Sequence, residues 1–460
     1  MLKKHKILVL SHLFVLFSFV LFSCSSAPKN NNSGSCLEVQ PSKDNQLSKD
    51  NPSSNEELSK GFSKNASNSS SKSDSAEVAS DIKSDFANTE RQKNDYLNNN
   101  EQKSDENEIT LLFGGDIMAH SVNYQISSYE KIWRDVKYLL DNNDFVFGNL
   151  EAPVDTTKAA SSYPNFNMTR KYVMAAVDAG FNVLSLCNNH TNDQGLSGIL
   201  QTEVTMKSIK DEKKLAGEEF YYSGLKQKDG NFSYNIIEKN EWKILFLPVT
   251  ELLNRPDYSE YINFIKTDDN SRKKFIDYVK SLKENNQCTL FILSLHTSEP
   301  EYTRNVTERQ EKFYKDLLSA GVDIIWANHA HIIKNRKIIV NTKNENDKLI
   351  MYANGNTISG QRTKPDFLSK NPVGERDNTG DGLLYRVILK KEDNGSVKIK
   401  KCEPIFITTY INTAYEFVIK PLNDSFVQYL YDVPRTNWAK YIERRIKINY
   451  EATKDLIEWQ

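Results

Sequence analysis

The chain has 460 residues, of which 60 are basic and 61 acidic, for a formal net charge of −1. So even a balance offers no basic surplus to neutralise a phosphate backbone, and nucleic acid is not an expected partner. The five cysteines are too scattered for a disulfide-stapled scaffold, and the length suits one large core or two small ones.

The first residues carry an address. Lys3, Lys4 and Lys6 precede an almost unbroken apolar run over residues 7–22. That run falls short of the roughly 20 residues that cross a bilayer comfortably, so a cleaved export signal over residues 1–23 is preferred to an uncleaved signal anchor. It ends Leu21-Phe22-Ser23-Cys24, which looks like a lipobox, with Cys24 acylated as the mature N-terminus. The expected location is the extracytoplasmic face of the cell membrane, held by lipid. Residues 24–107 are rich in Ser, Asn, Lys, Asp and Glu. With few large apolar side chains they cannot offset their own ordering entropy, and a disordered tether is expected.

From residue 108 apolar runs alternate with amphipathic stretches. Residues 109–113, 145–147, 183–186, 290–295, 324–326 and 349–352 read as buried strands. Helices are expected where Ile132, Trp133, Val136, Leu139 and Leu140 share a face, over 171–179 with Gly180 as its stop, after Ser271, and between Thr307 and Gly321. Alternating strands and helices imply a largely parallel sheet core. Two hairpins (232–237 with 243–248, and 383–391 with 397–406 about Asp393-Asn394-Gly395) make the sheet mixed, or split it into two packed sheets. The domain is placed at 108–422, with a C-terminal helical extension over 423–460.

Each of the six strands stops at a residue able to bind a metal or substrate. The tips are Asp116, Glu151 after Asn149, Asn189 with His190, His296, His329 with His331, and Asn356. In open α/β sheets ligands gather at the carboxyl ends of strands, so these tips should converge. On an extended tip the rings of His329 and His331 would point to one side. Imidazole with carboxylate and amide oxygens suits manganese, zinc or iron, as one ion or two. A structural hydrogen-bonding role is the plainer account of any single histidine, but not of five such residues near strand tips, with His120 counted four residues after Asp116. Asp193 could start a turn with Gly195. Asn356 and Arg362, beyond the last tip, are candidates to touch an anionic substrate, against the plainer readings of a turn asparagine and a solvated arginine.

In their order, Gly115-Asp116-Ile117-Met118, Gly148-Asn149-Leu150-Glu151, Asn188-Asn189-His190 with Asp193, His296, His329-Ala330-His331 and Gly355-Asn356 resemble the CapA (poly-γ-glutamate capsule synthesis) branch of the calcineurin-like metallophosphoesterases. The resemblance spans about residues 109–362. It implies an α/β fold in which a mixed-sheet sandwich is covered by helices on both sides (αββα), and a part in making an anionic cell-surface polymer beside capsule synthase or export subunits. It further implies metal ligands at Asp116, Glu151, Asn189, His296, His329 and His331, with Glu151 as the bridge. His190 would be the general acid, oriented by Asp193. The Asp-x-His of the broader pattern is Asp116-Ile117-Met118 here, so a first-site histidine is missing unless His120 reaches round. The competing reading is a non-catalytic subunit that holds the polymer.

Cys24→Ala should abolish metabolic lipid labelling and release the protein from membranes. Unchanged membrane partition of the variant would sink the lipid-anchor assignment and revive the signal anchor.

Overall fold

The computed structural model describes residues 106–460; the expected export signal, Cys24 and all but the last two residues of the expected tether lie outside the described residues. No helix among the described residues is long and apolar enough to cross a membrane. The strands are β1 (Glu108–Ile117), β2 (Phe145–Leu150), β3 (Val183–Ser185), β4 (Tyr221–Ser223), β5 (Asn235–Lys239), β6 (Trp242–Thr250) and β7 (Leu290–His296). They continue with β8 (Ile324–Asn328), β9 (Arg336–Val340), β10 (Lys348–Met351), β11 (Asn356–Ile358), β12 (Asp381–Lys391), β13 (Val397–Ile411), β14 (Phe417–Pro421) and β15 (Asp455–Trp459).

They form two mixed sheets. The first runs β14-β13-β12-β1-β2-β3-β4, with β11 paired to β1, and the second β15-β9-β10-β8-β7-β6-β5. The six expected strands are all present, divided between the sheets as β1, β2 and β3 against β7, β8 and β10. Strand alternation builds the layers. Ile109, Leu111 and Phe113 of β1 face Leu290 and Ile292 of β7 and Ile324 and Trp326 of β8 in the core between the sheets. The alternate residues Phe291, Leu293 and Leu295 turn outward onto Phe275, Val279, Phe313 and Leu317 of the helices Asp269–Asn286 and Glu308–Ser319. On the opposite side Leu112, Ile117 and Leu150 pack on Trp133, Tyr172, Val173 and Met206 from the helices over the first sheet. The result is the expected αββα sandwich.

Local differences have local causes. The single amphipathic helix expected around residues 132–140 is two one-turn helices, Glu130–Trp133 and Lys137–Leu140. Asp268, not Ser271, caps Asp269–Asn286, accepting from the Ser271 N–H, because its carboxylate reaches the free amides of the first turn. Thr307 caps Glu308–Ser319 through the Gln310 N–H, as the spacing predicts. The 21-residue helix Gly195–Leu215 has no counterpart among the expected elements; exposed Leu200, Val204 and Leu215 blur its apolar stripe.

The C-terminal segment does more than pack outside. After the helices Asp424–Asp432 and Thr436–Ala452 the chain returns as β15, parallel to β9. Tyr441, Arg445 and Asn449 of the longer helix are buried. Arg445 and Arg362 pair with the two oxygens of Asp381, at 2.7 and 2.9 Å, and all three side chains are fully buried. Asn449 (2.6 Å) and Thr408 (2.8 Å) complete the carboxylate's bonds. This corrects one expectation: Arg362 is neither solvated nor open to substrate, because its fork is spent on Asp381, Thr408 and the Thr409 carbonyl.

Burial alone would push the Asp381 carboxyl up, but the guanidiniums of Arg445 and Arg362 and the Thr408 bond outweigh it and hold the carboxyl below its ordinary range. Asp381 therefore stabilises the fold fully above the unfolded value of about 3.9, and that contribution fades as pH falls through the lower folded value. Asp381→Asn strands two buried cations and should cost about 3–5 kcal/mol, read as a lowered urea midpoint at pH 7. Loss of under about 1 kcal/mol, the ordinary range for exposed pairs, would show that this network is not what ties the C-terminal helix to the sheet.

Candidate functional site

The tips of both sheets meet at one edge of the sandwich. Two glycines permit it. A Cβ on Gly115 would lie 1.9 Å from the Gly355 carbonyl, and Gly355 itself has φ 69°. With no side chain there, the Asp116 N–H bonds the Gly355 carbonyl at 3.0 Å, and Asp116 registers with Asn356 on one side and Asn149 on the other. Asn149 donates to Asp116 (2.8 Å) and also lies 3.3 Å from His296 Nδ1. From the second sheet, His296 Nε2 meets the Asn189 amide oxygen at 2.8 Å, and His331 Nδ1 lies 3.0 Å from the Asn356 oxygen and 3.2 Å from Asp116.

Glu151 sits at the centre. It is fully buried, neither carboxylate oxygen has a hydrogen-bond partner, and its Oε1 is 3.8 Å from the Nε2 atoms of both His296 and His331. Asn149 Oδ1, both amide atoms of Asn328 and His329 Nδ1 are likewise buried and unpartnered. Buried polar atoms are nearly always bonded, so this many at one place indicates a missing partner. The donor atoms of Glu151, His296 and His329, of Asp116, Glu151 and His331, and of Glu301, His329 and His331 each lie within 4.8 Å of one another. Carboxylate oxygens and imidazole nitrogens so grouped fit one or two divalent cations.

The electrostatics match. Burial and the Asp116 charge push the Glu151 carboxyl well up. Burial and its neighbour His329 hold His296 well below the ordinary histidine value, and burial with His331 takes His329 down to about 4. Both are thus neutral at pH 7, the form that binds metal. Burial also opposes charge on His331, but its bond to Asp116 wins and raises it.

The His-x-His pair converges for a reason other than strand alternation. The strand ends at Asn328, and His329 (φ 106°) and His331 (φ 56°) lie on a bend in left-handed backbone. Such residues cost of order 1–3 kcal/mol each and persist where surrounding structure holds them.

His190 stands outside all three groups. Its Nδ1 is 2.7 Å from Asp193, whose carboxylate also accepts the Phe166 N–H. The Phe166 ring meets His190 edge-on at 4.7 Å, and the Asn254 amide lies 3.1 Å from His190 Nδ1. His120 lies beside the site and in none of the ligand groups among the described residues: its Nδ1 accepts the Gly360 N–H, and its ring packs on Phe166. Burial, then the charges of His331, His190 and Arg376, take it down to about 3. The expectation that His120 replaces the missing first-motif ligand is therefore not met. Met118, at the position of that ligand, is buried in the outer core. Asn254, Asn328 and Glu301 are site residues that the sequence reading does not single out. Glu301 and Asn254 lie in irregular loops after β7 and β6, where no periodicity points to them.

The description "Bacterial capsule synthesis protein PGA_cap" belongs to a family model that matches residues 110–361, more than half of the chain. The chain is 30% identical over 311 residues to the "Capsule biosynthesis protein CapA" of Bacillus anthracis, covering 64% of this chain and 71% of that protein. It is 23% identical over 297 residues to the "PGA biosynthesis protein CapA" of Bacillus subtilis (strain 168), covering 63% and 70%. A crystal structure of a hypothetical protein from Thermus thermophilus aligns with a TM-score of 0.38 at 13% identity, over 65% of this chain and 98% of that one. The buried carboxylate–histidine edge thus falls within the matched span, and the chain belongs to the bacterial capsule synthesis PGA_cap family.

Proposed function

We propose that this chain is a surface-anchored, metal-dependent hydrolase that cleaves a phosphoester or related anionic linkage during synthesis of a capsule polymer of the poly-γ-glutamate kind. Lipid on Cys24 would hold it at the membrane, beside the subunits that make or export the polymer. The observation that carries this reading is Glu151, a buried carboxylate with two unpartnered oxygens set among His296, His329 and His331.

Asp116, Glu151, His296, His329 and His331 would hold the cation, with Asn189 turned toward it through His296. Such an ion, manganese, zinc or iron, supplies Lewis acidity and a water deprotonated near neutral pH. The chain's own residues do the rest. Asp193, 2.7 Å from His190 Nδ1, would accept the Nδ1–H, leaving a protonated Nε2 to give its proton to a departing oxygen. Phe166 fixes both partners of that pair, one by its N–H and one by its ring. A second reading, a polymer-holding subunit without turnover, is favoured by Met118, which puts a buried thioether where a further ligand would complete a two-ion site.

His331→Ala should lower bound metal and thermal stability together, since a ligand of the native state stabilises by about 2.7 kcal/mol at 100 times its Kd. His190→Ala should keep both near wild type while turnover of a phosphodiester falls roughly 10²–10⁴-fold. Equal metal loss in the two variants would make His190 a ligand. Wild type that binds metal and polymer but hydrolyses nothing would hand the lead to the second reading.

Metal affinity should also rise with pH. The raised carboxyl of Glu151 and the raised imidazole of His331 hold protons that a cation must displace. Each displaced proton steepens the dependence by up to about tenfold per pH unit below the raised value. Metal titration between about pH 5.5 and 8 in weak buffer should release protons, and a pH-independent affinity would contradict the ligand assignment.

A further inference from the structure

With Arg362 committed to Asp381, the site has no substrate-facing cation among the residues singled out from sequence. The structure supplies another. The ring of Tyr302 lies 6.0 Å from that of His331, tilted by 30°, and the Arg376 guanidinium sits over the same Tyr302 ring, 5.7 Å from its centroid. Tyr302 is itself fixed. Its φ is 59°, its N–H bonds the Ala330 carbonyl at 3.0 Å between the two ligand histidines, and its hydroxyl accepts from Gln361 at 3.5 Å. Gln361 accepts in turn from Asn356, the partner of His331.

Arg376 is exposed, and among the described residues no carboxylate pairs with it. Its backbone is nevertheless well anchored. It belongs to the one-turn helix Glu375–Asn378. Next to it, Asp377 accepts from Tyr441 (2.6 Å) and from the Asp366 N–H (3.0 Å), and Asn378 accepts from Arg445 at 2.9 Å. The C-terminal helix therefore holds an unpaired guanidinium at the rim of the histidine cluster. A cation that stacks on an aromatic ring and keeps its donors free suits a planar or tetrahedral oxyanion.

We infer that Arg376, stacked on Tyr302, binds a second acidic group of the substrate, a carboxylate or phosphate next to the linkage held at the metal site. Arg376 is then a specificity-determining residue for a polyanionic chain, and the inference rests on the reading of the site as one that handles an anionic polymer. The interaction is at the surface, so salt weakens it.

The test uses the full chain loaded with manganese, and titrates an oligo-γ-glutamate and, separately, inorganic phosphate at low and at physiological salt. Arg376→Gln should weaken binding of the oligomer roughly 10- to 100-fold at low salt, the range for one charge-assisted pair, and Arg376→Lys should recover a good part of it. Metal content and thermal midpoint should match wild type in both variants, which a merely structural role would not preserve. Free phosphate, with a single acidic group that the metal site can take, should lose far less. Oligomer binding by Arg376→Gln equal to wild type, or equal loss for both ligands, would overturn the role of Arg376 while leaving the metal site standing. Wild type that takes up manganese and binds neither anion would overturn it together with the proposed function.

Discussion

Everything at the carboxyl edge of this sandwich follows from placing Glu151 where water cannot reach it. A carboxylate without a hydrogen bond in that setting is costly, and Asp116 adds a second acid beside it. The fold meets the cost with neighbours that carry lone pairs: His296 and His329 are kept neutral by burial, and only His331, tied to Asp116, leans toward charge. Glu151 and His331 are thereby left holding the protons that a cation would displace, beside the neutral rings of His296 and His329. The glycine contact at Gly115 and Gly355, the left-handed backbone at His329 and His331, and the buried amides of Asn149 and Asn328 all keep that cluster in shape. None of them improves the packing of the core.

Much of this was legible because buried strands announce themselves. The six apolar runs end where their polar tips begin, and the sheet-edge rule then brings the tips together whichever sheet they belong to. Asp116, Glu151, Asn189, His296, His329 and His331 are adjacent in space for that reason. Two kinds of information were out of reach. Arg362 follows a tip and looks like a substrate contact, yet its environment is set by Asp381, nearly twenty residues on, and by a helix at the far end of the chain; no local pattern encodes such a contact. Tyr302, Glu301 and Asn254 sit in irregular loops, where side-chain placement depends on what the loop crosses rather than on period. The missing imidazole at Met118 was visible, but the proposed substitute, His120, was not constrained, since a ring four residues beyond a strand can turn either way.

The C-terminal helices change how the domain should be thought of. Their aromatic face, with Phe426, Leu430, Trp438 and Tyr441, covers β13 and β14, and Tyr441 and Arg445 reach through to Asp377 and Asp381. The family match ends at residue 361, and the scaffold formed by these helices lies beyond it. The scaffold is joined to the site by hydrogen bonds and charge rather than by chain proximity.

The candidate ligand atoms come from the ends of two separate sheets: Asp116 and Glu151 from the first, His296, His329 and His331 from the second. The layers also meet through side chains such as Phe113, Phe147 and Trp326, whose indole N–H bonds the Gly114 carbonyl at 2.9 Å. An ion held by both layers would act as a rivet at one end of the seam. Shear between the sheets would then be a coordinate that metal loading stiffens at that end of the sandwich and not at the other.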